Sequence, residues 1–109
     1  QFRELDPSGG MTLAARILDI YTASSREVFA AVEDAVAKDD GEALRNAAHS
    51  LKSSSANVGA TQLVALLKAF EMMGKQGQLN DAHAQLEKLR LEYTRAIDEI
   101  CALRQECES

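Results

Sequence analysis

Apolar residues recur every three or four positions along almost the whole chain, which is the spacing of a helix that buries one face. The longest such series lies in the last third of the sequence: Leu79, Ala82, Leu86, Leu89, Tyr93, Ile97, Ile100 and Leu103. No stretch shows the apolar–polar alternation of a half-buried strand, and the chain has a single proline. The pattern therefore predicts an all-α protein.

Short polar or glycine-containing breaks divide this pattern into five segments. We predict helices over residues 10–21, 24–38, 40–57, 60–74 and 80–105. Ser24 and Asp39 each precede a glutamate by three residues, as in a capping box, while Gly74 and Asn80 suit a helix end and a helix start. Short loops favour antiparallel neighbours, so we expect an up-down antiparallel four-helix bundle with an accessory N-terminal helix.

The composition limits the number of domains and the kinds of partner. With 109 residues, of which 46% are hydrophobic, the chain is long enough for one modest core, and we expect a single domain over residues 1–109. Within it, residues 1–9 form an approach segment and residues 104–109 a frayed end. The net charge is −5 and the basic residues are scattered, which argues against a nucleic-acid partner.

No apolar run approaches the roughly 20 residues that would span a bilayer, so we expect no direct membrane contact by this segment. Cys101 and Cys107 are six residues apart, which places them on different sides of a helix and argues against a bridge between them. We interpret them as free thiols of a cytoplasmic protein.

The run over residues 47–60 carries the candidate chemistry. Drawn as a helix, it directs one set of residues toward a core: Leu44, Ala48, Leu51, Ser55 and Val58. A second set lies on an outward ridge: Arg45, His49, Lys52, Ser53 and Ala56. His49 therefore has an ammonium group one turn away and small residues beside it.

This combination suits a phosphoryl carrier. A neutral imidazole is a nucleophile that can hold a phosphoryl group covalently, and histidine is substantially neutral near pH 7. A nearby cation offsets the charge of the phosphate, and small neighbours leave room for a second protein. No glycine-rich phosphate loop is present, and no cofactor or metal of its own is expected in this domain.

The run also resembles the signature of histidine-containing phosphotransfer (HPt) domains, His-x-Leu-Lys-Gly-Ser-x-x-x-hydrophobic-Gly. The matching residues are His49, Leu51, Lys52, Ser54, Val58 and Gly59, whereas Ser53 stands in place of the glycine. The resemblance implies a four-helix bundle with accessory helices. It also implies that His49 is the phosphoacceptor, that Lys52 offsets the phosphate charge, and that Glu71, by its offset from His49, orients the ring.

The resemblance further implies response-regulator receiver domains as partners, which would supply Mg²⁺ and the acidic residues for catalysis. We expect them to dock on the ridge and its flanks, at Arg45, Asn46, Ser50, Ser53 and Ala56. The domain would thus be a phosphohistidine intermediate of a multistep His–Asp phosphorelay rather than a self-sufficient enzyme. It would act as a monomer rather than a dimer, in a bacterial hybrid sensor kinase or as a separate carrier.

Two alternatives remain open from the sequence. The chain could be the phosphoacceptor domain of a chemotaxis-type histidine kinase, or a helical interaction or dimerisation module in which His49 is incidental. The second histidine, His83, has no lysine or small-residue partner in its surroundings and is interpreted as a surface residue.

Overall fold

The structure, a computed structural model, describes the backbone of residues 13–108 and the side chains of residues 13 and 15–103. In this part of the chain four helices and no strand are found: α1 (Leu13–Ala37), α2 (Gly41–Asn57), α3 (Thr61–Gln76) and α4 (Leu79–Glu108). Helix α2 packs against α1 and α3, and α4 packs against the same two helices. The predicted four-helix bundle is confirmed, while the predicted approach segment, residues 1–9, lies outside the described residues.

The core forms where the apolar faces of the four helices meet. Its fully buried members include Val32, Val36, Leu44, Ala48, Leu51, Leu63, Leu67, Phe70 and Leu89. Phe29 also lies in the core, where its ring stacks on Tyr93 with the centroids 4.4 Å apart. Tyr21 is buried too, and its hydroxyl lies 2.7 Å from Ser55 Oγ. The Tyr21–Ser55 pair thus joins α1 to α2 inside the bundle.

Helix α1 is continuous from Leu13 to Ala37, so the break predicted before Ser24 is wrong. The next residue, Ser25, is buried; its Oγ lies 2.8 Å from the hydroxyl of Tyr93 and 3.4 Å from the carbonyl oxygen of Thr22. Ser24 itself is exposed, and the buried face formed by Tyr21, Ser25 and Phe29 continues past it at helical spacing, so the helix does not break there. The segment predicted as an accessory helix is the N-terminal part of α1.

Three other helix ends differ from the prediction. Asp40 caps α2 by accepting a hydrogen bond from Ala43 N, whereas Asp39 lies outside the helix in a left-handed conformation with φ 52°. Helix α3 continues past Gly74 and ends at Gly77, which has φ 73°. Helix α4 begins at Leu79, so the predicted cap at Asn80 is wrong as well.

Two observations bear on the expectations from composition. Among the described helices, none combines the length and the apolar character needed to cross a membrane. Cys101 is an exposed free thiol on α4, while the side chain of Cys107 lies outside the described part of the chain.

Candidate functional site

His49 lies on the outer side of α2 because the inner side of that helix is occupied by the core. Leu44, Ala48, Leu51 and Ser55 are all fully buried, at the spacing predicted for one helical face. The imidazole of His49 points away from them, with 60% of its side-chain surface exposed. A globular partner can therefore reach this ring.

Glu71, on the neighbouring helix α3, binds the His49 ring. Its Oε2 lies 3.1 Å from His49 Nδ1. The carboxylate is mostly covered, with 21% of its side-chain surface exposed. The structure thus brings together the two residues that the family resemblance paired, one from each helix.

The charge of Glu71 determines which ring nitrogen of His49 carries hydrogen. An ionised carboxylate only accepts hydrogen bonds, so Nδ1 must donate. In the neutral ring the hydrogen is then on Nδ1, and Nε2 keeps its lone pair. The site consequently presents a nucleophilic nitrogen on the side of the ring that does not face Glu71.

Lys52 shares the same carboxylate. Its Nζ lies 2.7 Å from Glu71 Oε1, which is ion-pair distance. One carboxylate therefore holds an imidazole through one oxygen and an ammonium through the other. The Lys52 ammonium is therefore connected to the exposed His49 ring through a single shared residue, Glu71.

The pKa of Glu71 is lowered from its usual value of 4.5. The contact with the Lys52 ammonium is the main cause, the hydrogen bond from His49 adds to it, and partial burial acts in the opposite direction. Glu71 is accordingly ionised at neutral pH, as the assignment of the His49 hydrogen requires.

Comparisons with known proteins identify the family of this chain. The family model of the Hpt domain matches residues 16–103. This chain belongs to the Hpt domain family. The crystal structure of histidine-containing phosphotransfer protein B (HptB) from Pseudomonas aeruginosa PAO1 is similar, with a TM-score of 0.79 and 30% sequence identity over 84% of this chain and 80% of that chain. A comparison with curated protein sequences finds no match.

The Hpt domain also exposes every residue that the sequence assigned to partner docking. Arg45, Asn46, Ser50, Ser53 and Ala56 are all on the surface of α2. Four of the five have short side chains. Arg45 is therefore the only long side chain of this set beside the imidazole. Ser53, the departure from the family signature, is exposed and lies within the continuous helix α2.

Ser54 does not take part in this surface. Its Oγ donates to the carbonyl oxygens of Ser50 and Leu51 in its own helix, at 3.3 and 3.2 Å. The hydroxyl of Ser54 thus bonds back to its own helix.

The remaining histidine of the Hpt domain lies elsewhere. His83 Nε2 is 2.9 Å from Asp39 Oδ1, on the surface between α4 and the loop before α2. No group of three or more His, Cys, Asp or Glu side chains among the described residues is placed to hold a metal ion.

The ion pair between Lys52 and Glu71 was not foreseen from the sequence. Spacing along α2 places Lys52 near His49, but the carboxylate comes from another helix, 22 positions after His49. Only the register between α2 and α3 brings the three groups together. A single sequence contains no direct signal of that register.

Proposed function

We propose that His49 is the phosphoacceptor of a multistep His–Asp phosphorelay, receiving a phosphoryl group from a receiver-domain aspartate and passing it to another receiver. The observation that carries this proposal is the hydrogen bond from His49 Nδ1 to the ionised Glu71. It leaves the lone pair on Nε2 of an exposed ring, where the acidic site of a partner can reach it.

In the transfer step, the Nε2 lone pair forms a bond to phosphorus while the bond from phosphorus to the aspartyl oxygen breaks. The aspartate leaves with that electron pair as a carboxylate. The ring keeps its hydrogen on Nδ1 and acquires positive charge, which the Glu71 carboxylate stabilises at 3.1 Å. Reversing the same bond changes delivers the phosphoryl group to the second receiver.

Lys52 offsets the negative charge of the phosphoryl group on His49. In the structure its ammonium is held by Glu71, so the cation is already at the site before a phosphoryl group arrives. Partner receivers bring Mg²⁺ and the acidic residues, and the Hpt domain contributes no cofactor of its own. Arg45 lies one turn from His49 on the same ridge and complements the acidic pocket of such a receiver.

The surface formed by Asn46, Ser50, Ser53 and Ala56 lets a receiver approach the ring closely. We propose that the domain does so as a monomer in a bacterial cytoplasm. A domain of a hybrid sensor kinase and a separate carrier protein share this chemistry, because a receiver reaches His49 in either setting.

Phosphotransfer from purified, phosphorylated receiver domains tests this function. We expect acid-labile, base-stable labelling of the wild-type chain and none of His49→Gln, with both chains equally helical by circular dichroism. Unchanged labelling of His49→Gln would refute the assignment of the phosphoacceptor.

Two further outcomes would refute the relay function and select an alternative. Labelling by an ATP-binding kinase domain, with none from any receiver, would identify a chemotaxis-type phosphoacceptor. Unaltered partner binding and signalling by His49→Gln, without labelling of either chain, would identify a helical interaction module.

A further inference from the structure

Helices α2 and α3 touch backbone to backbone at two glycines. A methyl group placed on Gly74 would lie 2.6 Å from both the backbone nitrogen of Arg45 and the carbonyl oxygen of Gly41. A methyl group on Gly41 would lie 2.7 Å from the carbonyl oxygen of Gly74. These atoms belong to helix backbone and cannot rotate away, so any side chain here would push the helices apart.

Neither glycine is required by its own backbone conformation. Among the described glycines only Gly59 and Gly77 have positive φ, whereas Gly41 and Gly74 have ordinary helical geometry. Glycine inside a helix is less favourable than alanine. The close approach of the two helices is therefore the physical reason for glycine at both positions.

The glycine contact lies beside the His49–Glu71 pair. Glu71 precedes Gly74 by three residues on α3, and His49 follows Arg45, which borders Gly74, by one turn on α2. At the other end, the two helices are joined through the short segment Val58, Gly59 and Ala60. The glycine contact and this connection fix the separation of α2 and α3 on both sides of the pair.

We propose that Gly41 and Gly74 are positioning residues of the phosphoacceptor site, which set the distance at which Glu71 binds His49 Nδ1. The 3.1 Å separation is near the long end for a hydrogen bond between nitrogen and oxygen. A displacement of α3 by about 1 Å breaks this bond, because a gap beyond about 3.5 Å no longer sustains it. The Nδ1 hydrogen is then free to move to Nε2, which removes the nucleophilic lone pair.

Gly74→Ala tests the proposal with two measurements. Nitrogen-15 NMR of the unphosphorylated chain reports which nitrogen of His49 carries hydrogen, and we expect wild type to show Nδ1–H and the variant to shift toward Nε2–H. The rate of phosphotransfer from a receiver is expected to fall about tenfold. If Gly74→Ala does not fold, Gly41→Ala takes its place, because its methyl group meets one backbone carbonyl only.

A double-mutant comparison separates positioning from general loss of stability. In a Glu71→Ala background the glycine has nothing to position, so Gly74→Ala should change the transfer rate by less than about twofold. Leu86→Ala is the control for stability, since Leu86 is half-buried on α4, which packs against α1 and α3. It should lower the unfolding temperature and leave the His49 tautomer unchanged.

The transfer rate in this test rests on the proposed function of His49, whereas the tautomer does not. A wild-type chain that shows Nδ1–H but accepts no phosphoryl group would refute the relay function and still support the role of the glycines. A wild-type tautomer in the folded glycine variant would overturn that role. So would a tenfold loss of transfer that persists in the Glu71→Ala background.

Discussion

The two histidines of this domain both contact a carboxylate, and the differences between the two pairs show what makes one of them a candidate phosphoacceptor. His49 uses Nδ1 to bind Glu71, whereas His83 uses Nε2 to bind Asp39. The side chain of Glu71 is 21% exposed and that of Asp39 is 67% exposed. The first pair lies between two packed helices and the second between a helix and a loop.

The ring nitrogen used for the contact decides the chemistry. Binding through Nδ1 leaves His49 with Nε2, the nitrogen farther from its own backbone, for a partner. Binding through Nε2 occupies that nitrogen in His83 and leaves the one nearer the helix. The two pairs also differ in whether a lysine contacts the carboxylate. Lys52 contacts Glu71, whereas Lys38, the sequence neighbour of Asp39, pairs with Asp34.

Replacement of each histidine by glutamine gives the largest expected contrast. His49→Gln should abolish receiver-dependent labelling, because no other group at the site combines exposure with a free ring nitrogen. His83→Gln should be labelled at the wild-type rate. Autoradiography after acid and base treatment measures both; labelling that follows His83 instead of His49 would reverse the comparison.

The second contrast concerns Lys52, which contacts the carboxylate of the His49 pair; among the described residues no lysine or arginine is paired with Asp39. Lys52→Met removes the positive charge beside the phosphoryl group and should lower the rate of transfer to His49 about tenfold. Lys68→Met, an exposed lysine on α3, is the matched control and should keep at least half of the wild-type rate. Stopped-flow or quench-flow time courses with one phosphorylated receiver distinguish the two. Equal losses in both variants would indicate a general effect of net charge.

The third contrast removes the charge of each carboxylate but keeps its shape. Glu71→Gln leaves an acceptor for Nδ1–H and takes away the negative charge that stabilises the phosphorylated ring, so transfer should fall about fivefold. Asp39→Asn should leave transfer unchanged, because the proposed phosphoacceptor is His49 and not its partner His83. The same time courses measure both variants, and an unaltered rate for Glu71→Gln would assign Glu71 a purely structural role.

The sequence predicted the helical class, the bundle and the exposed side of α2, because these depend on periodicity within single helices. It failed at Ser24, where a capping-box pattern was read as a helix start although the buried face of Tyr21, Ser25 and Phe29 continues α1 through that position. It also interpreted Gly74 as a helix end, whereas this residue marks the contact between α2 and α3. In both cases a local pattern was outweighed by packing of the helix face against another helix.

The candidate site likewise has one part that spacing within a helix predicts and one part that depends on contacts between helices. The positions of His49 and Lys52 relative to each other follow from one turn of helix, so spacing was sufficient to predict them. Glu71 was found through the family resemblance alone, and its second contact, with Lys52, emerged only from the structure. Interactions between helices depend on their register, which periodicity does not specify.

The smallest expected effect is a dependence of stability on pH that distinguishes the two carboxylates. Because the folded chain lowers the pKa of Glu71 below 4.5, the ionised form stabilises the fold. This contribution is fully present above the usual pKa and is lost as the pH falls through the lowered value.

Glu71→Gln should therefore be less stable than wild type by about 0.5–1 kcal/mol at pH 7, a modest figure because the group is partly solvated. The gap should narrow as the pH falls below 4.5 and through the lowered pKa of Glu71, as thermal unfolding followed by circular dichroism at each pH would show. Asp39→Asn should shift stability by less than about 0.5 kcal/mol at pH 7, since an exposed pair with His83 contributes little. A gap for Glu71→Gln that persists undiminished down to the lowest pH at which both chains fold would mean that packing, rather than charge, is what this side chain supplies.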